Sequence, residues 1–140
     1  YDTITFHGGF NIKSHSVSKL LEGCHSALFM AATVGPGISE MASKALSAGE
    51  GARGVVFDAV GSETAEAAIE WICNYIEGLI KKRGEFMTSR RFSPGYGDFY
   101  LENQALFYKI LEMDTMGITL TERYMLVPEK TVTALAGISG

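Results

Sequence analysis

Between Ser62 and Lys82 the apolar residues Ala65, Ile69, Ile72, Ile76 and Leu79 return at helical spacing, while Glu63, Glu66, Glu70 and Glu77 fall elsewhere. That stripe marks an amphipathic helix with one side to bury. Ser62 stands where a cap is needed and Gly84 where the helix should end. Lys81-Lys82-Arg83 then form a favourable charge set at the helix C-terminus.

Shorter elements surround this helix. Asp2 to His7 alternates weakly through Ile4 and Phe6 and reads as a strand ending at Gly8-Gly9. Ser14 or Ser16 is placed to cap a short helix through Leu21, stopped by Gly23. Ala27 to Val34 is a continuous apolar run that predicts a buried strand. A helix is expected next, because Ile38, Met41, Ala42, Ala45 and Leu46 recur at helical spacing, with Gly49 and Gly51 interrupting it. Val55 to Val60 fits strand or helix by period, and the helical reading is preferred because the next helix follows with little break. Glu85 to Phe92 should be extended. Asp98 is expected to cap a helix over Phe99 to Met113 that buries Leu101, Ala105, Tyr108 and Leu111. Thr119 and Glu122 fit a capping box for one helical turn. Thr131 to Ile138 alternates as a closing strand. This mixed order favours an α+β fold over regular βαβ repeats, in a single domain spanning residues 1–140.

Composition excludes several classes. The chain is 46% hydrophobic and 20% charged, which suits a globular protein rather than a disordered one. Its net charge of −4 leaves no electrostatic footprint for nucleic acid. The longest apolar run, Ser26 to Val34, is too short to span a bilayer, so no membrane partner is expected. Two cysteines make no disulfide framework, and a reducing cytoplasm is the simplest location. The chain begins at Tyr1 rather than methionine, so a leader or tag is expected to have been removed or left out.

The stretch Arg91-Phe92-Ser93-Pro94-Gly95-Tyr96 carries the most specific chemistry. An arginine fork matches a carboxylate through two bonds at once. Pro94 fixes its own φ, Gly95 lets backbone approach a ligand, and Tyr96 adds a flat face with a polar tip. The pattern suits a small ligand bearing a carboxylate. The plainer readings are a surface ion pair for Arg91 and a packed turn aromatic for Tyr96.

Two blocks in order give this stretch a context. Arg91 to Gln104 (RFSPGYGDFYLENQ) and Met116 to Ser139 (MGITLTERYMLVPEKTVTALAGIS) resemble the activation domain of cobalamin-dependent methionine synthase. The second block carries Gly117, Leu120-Thr121-Glu122, Met125, Pro128 and Val132 at that family's spacing. Ala65-Glu66-Ala67 and Glu70 look like the family's ligand-side helix, and Leu21 to Met41 is similar to free-standing relatives of the domain. The resemblance implies a bent antiparallel sheet with flanking helices. It also implies that S-adenosylmethionine binds through Arg91, the backbone of Phe92 to Tyr96, and Glu66. The implied function is reductive reactivation of cobalamin. The cobalamin would be presented by a methionine synthase or another corrinoid protein, with an electron donor such as flavodoxin or ferredoxin. The cobalt is then the nucleophile, and this chain supplies no catalytic base.

The chain departs from the family in two places. Ser62 replaces an expected acidic residue, and the chain ends at Gly140, before a region that supplies another aromatic to the ligand. Weaker affinity, or a pocket completed by a partner, follows from both. A scaffold or ligand-binding protein without methyl transfer is the alternative, and a methyltransferase acting on a small acceptor ranks third. Glu66 and Glu70, one helical turn apart, also have a plainer reading as solvated carboxylates. His7, His15 and His25 are far apart, and Cys24-His25 lacks zinc-ligand spacing, so no metal site is expected. Nothing beside Cys24 marks a base, and both cysteines fit ordinary burial. Gly35-Pro36-Gly37 forms neither a phosphate loop nor a dinucleotide fingerprint.

Overall fold

A computed structural model describes residues 2–140. The chain runs β1 (Thr3–Thr5), β2 (Asn11–Lys13), α1 (His15–Leu20), β3 (Ser26–Thr33), α2 (Gly37–Ser47), α3 (Gly51–Ile80) and β4 (Phe86–Met87). It continues through α4 (Gln104–Ile110), β5 (Thr119–Leu120), β6 (Leu126–Val127) and β7 (Thr131–Ser139). Short 3-10 turns occupy Lys81–Arg83, Leu101–Asn103 and Met113–Met116. The fold is α+β, with every strand pair antiparallel.

β7 is the central strand of the main sheet, between β3 and β4, and β1–β2 and β5–β6 form separate two-stranded pairs. Alternation along β7 sends Ala134 and Ala136 toward α3 with Met30, Ala32, Ile69 and Cys73. Leu135 points the other way, into a core with Ile12, Val17, Phe99, Phe107 and Met113. Small residues on β7 and on α3 (Ala65, Cys73) let the helix lie close on the sheet.

α3 is longer than the sequence suggests. It starts at Gly51, so Val55 to Val60 is helical as preferred, but Ser62 is an interior residue and caps nothing. Gly61 does not break the helix because it lies against Ile38 and Lys130, where a larger residue would not fit. The buried stripe is Ala65, Ile69, Cys73 and Ile80, which leaves Leu79 exposed. On the outer side Trp71 and Tyr75 stack in the open, ring centroids 5.4 Å apart. Toward the sheet edge, Asp58, Ser62, Glu66 and Glu70 recur every four residues. Lys130 meets the first two, at 2.8 Å from Asp58 and 2.9 Å from Ser62 Oγ. Arg91 meets the last two.

Ser14 caps α1 as expected, its hydroxyl accepting from Val17 N. Ala27 to Val34 is a strand, but as an edge strand it buries only Met30 and Ala32 fully. Thr131 to Ile138 is the closing strand, extended to Ser139. The helix expected over Phe99 to Met113 shrinks to Gln104–Ile110 and buries Gln104 and Phe107 instead, with Ala105 exposed. Gln104 Oε1 accepts from Thr133 Oγ1 at 2.7 Å, which draws that face onto β7. Thr119 and Glu122 do not cap a helix. Thr121 O accepts from Tyr124 N, and its hydroxyl accepts from Met125 N, which closes the β5–β6 hairpin. Among the described residues, no helix is long and apolar enough to cross a membrane.

Candidate functional site

The site forms where the chain leaves β4. Thr88 N donates to Gly137 O at 2.9 Å, and the ladder resumes at Phe92, which exchanges both backbone bonds with Leu135. The chain advances from Thr88 to Phe92 while β7 moves only from Gly137 to Leu135, so Ser89, Arg90 and Arg91 bulge from the sheet edge. Thr88 braces this bulge: its hydroxyl accepts from Gly137 N at 3.0 Å and donates to Arg90 O at 2.8 Å.

The bulge delivers Arg91 to α3. Its Nη1 donates to Glu70 Oε2 at 2.8 Å, and Nη2 stands 3.7 Å from Glu66 Oε2. Burial works against the guanidinium charge, but the Glu70 bond and neighbouring charges outweigh it, raising the Arg91 pKa above its ordinary value. The arginine side chain is 32% exposed and both carboxylates are more than half exposed. Ion pairs this open contribute about 0–1 kcal/mol. Burial raises the nearby Cys73 thiol pKa, against the lowering pull of Arg91. Cys73 therefore stays a protonated core residue.

Beyond Phe92 the chain turns sharply. Pro94 is buried, Gly95 adopts φ +99°, and Gly95 N donates to Phe99 O at 2.7 Å. Phe99 is buried while Tyr96 is 74% exposed, so the turn is anchored at its base and presents Tyr96 to solvent. Among the described residues no hydrogen bond joins Tyr96 to Arg91 or Glu66. The structure thus brings Arg91 and Glu66 together and holds Phe92, Ser93, Pro94 and Gly95 in the adjoining backbone, with Tyr96 apart. Glu70, which the resemblance put on the ligand-side helix without assigning it a role, is nearer to Arg91 than Glu66 is. Its four-residue spacing from Glu66 was the available signal.

Contrary to the expectation from the sequence, Asp98 does not cap the helix that follows it. Its carboxylate accepts from Ser14 Oγ at 3.0 Å and from the backbone N–H of His15 and Ser16, so it closes the N-terminus of α1 from across the fold. The Ser16 hydroxyl, with these bonds, brings its pKa from 3.8 to about 2. A folded-state pKa below the unfolded one gives stabilisation that is complete above the ordinary carboxylate range and fades as the folded-state value is approached. Thermal melts should therefore show wild type losing its advantage over Asp98→Asn as pH falls from about 4 to about 2. A constant difference between the two proteins over that range would refute the assignment.

Among the described residues, no group of three or more His, Cys, Asp or Glu side chains is placed to hold a metal ion. Compared with known proteins, the chain matches no family model and no curated sequence.

Proposed function

We propose that this chain is an S-adenosylmethionine-binding module with the fold of the methionine synthase activation domain, serving reductive remethylation of a corrinoid carried by a cytoplasmic partner. The observation that carries the reading is the meeting of Arg91 with Glu66 and Glu70, three residues before the Pro94–Tyr96 turn. A zwitterionic amino-acid end suits that set. Its carboxylate takes the Arg91 fork in place of Glu70, and the released carboxylates then face the ammonium and the sulfonium. Two exposed ion pairs, Arg91 with Glu66 and Glu70, are exchanged for three charge contacts with the ligand.

Bound S-adenosylmethionine would supply an electrophilic methyl group to a reduced corrinoid on the partner and would leave as S-adenosylhomocysteine. The residues of this chain hold and orient; none is placed as a proton-transfer group. Tyr96, open to solvent, offers a ring against which a ligand or a docking corrinoid carrier can rest.

The second reading, a scaffold or binding protein without methyl transfer, is favoured by Ser62. Its hydroxyl is engaged by Lys130, so no carboxylate stands at that point of α3. Calorimetry with S-adenosylmethionine tests the proposal. Arg91→Ala is expected to weaken binding at least about tenfold, the loss of one charge-assisted hydrogen bond or more. Glu66→Gln should weaken it less. Wild-type affinity retained in Arg91→Ala would refute the site. Binding without methyl transfer to a reduced corrinoid would select the second reading.

A further inference from the structure

The residue before Arg91 borders a different space. Ser89 and Arg90 line a cleft of about 560 Å³ whose other wall is α1, contributed by His15, Ser16 and Lys19. Leu20 and the half-buried Phe92 give it an apolar side. That volume falls within the range of small-molecule sites.

The charged side chains that line the cleft from α1 and the bulge are basic, Lys19 and Arg90. Arg53, Arg83, Arg91 and Lys130 each have a carboxylate within 4.0 Å. Among the described residues, Lys19 and Arg90 have none. They enter the cleft from opposite walls, in a protein of net charge −4. No acidic residue among those described lines the cleft; Glu22 shares the neighbouring hollow with Lys19, and two other acids of the region are held elsewhere. Asp98 is held by Ser14, His15 and Ser16, and Asp2 bonds His15 Nδ1 at 2.9 Å. Thr88 fixes the Arg90 carbonyl, so the base of this arginine is held before any ligand arrives. Ser89 adds a hydroxyl whose bonds are not taken.

We infer that this cleft binds the phosphate of a small organic phosphate monoester, with Lys19 and Arg90 as its charge partners and the apolar body of the ligand against Phe92 and Leu20. A phosphate monoester fits better than a carboxylate. It carries close to two negative charges near neutral pH, and its three oxygens can engage both cations and the Ser89 hydroxyl together. The site does not depend on S-adenosylmethionine binding at Arg91.

Adenosine monophosphate and inorganic phosphate are the probes, titrated at low salt and followed by amide chemical shifts. Saturable shifts at Ser16, Lys19, Ser89 and Arg90 are expected with adenosine monophosphate. Arg90→Gln and Lys19→Gln should each weaken binding about tenfold, while Lys109→Gln, outside the cleft, leaves it unchanged. Inorganic phosphate should shift the same amides with lower affinity. The proposal is overturned by absence of a saturable response, or by wild-type affinity in both Arg90→Gln and Lys19→Gln. Equal affinity for the two probes would remove Phe92 and Leu20 from the site. Failure of S-adenosylmethionine to bind in the Arg91 experiment would leave all of these outcomes unaffected.

Discussion

Phe107→Ala should lower the unfolding free energy by about 3–5 kcal/mol, the cost of emptying an aromatic site that the surroundings cannot refill. Phe107 is fully buried on α4, with its ring 5.0 Å from Phe29 and 6.2 Å from Phe99. It therefore joins three parts of the chain: the edge strand β3, the base of the Pro94–Phe99 turn, and α4. Domains of this kind are stable by about 5–15 kcal/mol in total, so this one change removes a large share. Denaturant titration should show the midpoint falling with little change in slope. Val55→Ala, at a residue 65% exposed on α3, is the control and should change stability by less than about 0.5 kcal/mol. Similar losses in the two variants would mean that the aromatic cluster is not the centre of the larger core.

Gly137→Ala has the second-largest expected effect, for the opposite reason. The position is overfilled by any side chain. A Cβ there would stand 2.5 Å from Cys24 Sγ, 3.0 Å from Thr88 Cγ2 and 3.1 Å from Leu21 Cδ2. Forcing a methyl group into such a space costs about 1–3 kcal/mol. The damage should reach the candidate site, because Gly137 is the residue that holds Thr88 through both its N–H and its C=O. Displacing Thr88 loosens the bulge that aims Arg90 and Arg91. Cys24→Ala removes the closest clash, so the double variant should recover a measurable part of the stability lost by Gly137→Ala. Strictly additive losses in that double-mutant cycle would show that Cys24 is not the obstacle.

Local patterns carried much of the fold, and non-local partners decided the remainder. The helical period from Ala65 onward and the alternation from Val132 to Ile138 were sufficient to place both elements, although β7 buries both of its faces. Where α3 begins could not be read the same way. Gly49 and Gly51 do mark the break, but Gly61 and Ser62 mimic another one, and only the packing of Ile38 and Lys130 against that turn shows otherwise. Asp98 illustrates the limit of capping rules. It has the right chemistry for a cap, and the donors it satisfies lie more than eighty residues away in α1. Likewise Thr121 was legible as a residue that bonds local backbone, but hairpin and helix use that ability equally.

The candidate site divides along the same line. Arginine followed by a Pro-Gly-Tyr turn is visible in one dimension. That Thr88 interrupts pairing with β7, and that Glu70 rather than Glu66 is the nearer acid to Arg91, depends on register and on the rotation of α3.

The chain contains a single tryptophan, and it is the residue that follows Glu70. Trp71 stands largely in water against Tyr75, on the outward side of the helix that carries the acidic pair. Its emission is thus an intrinsic probe placed at a known spot, with no dye to attach and no second indole to confuse the signal. Any molecule that settles over that surface should quench it or shift its colour, so binding there can be followed in real time on the unaltered protein.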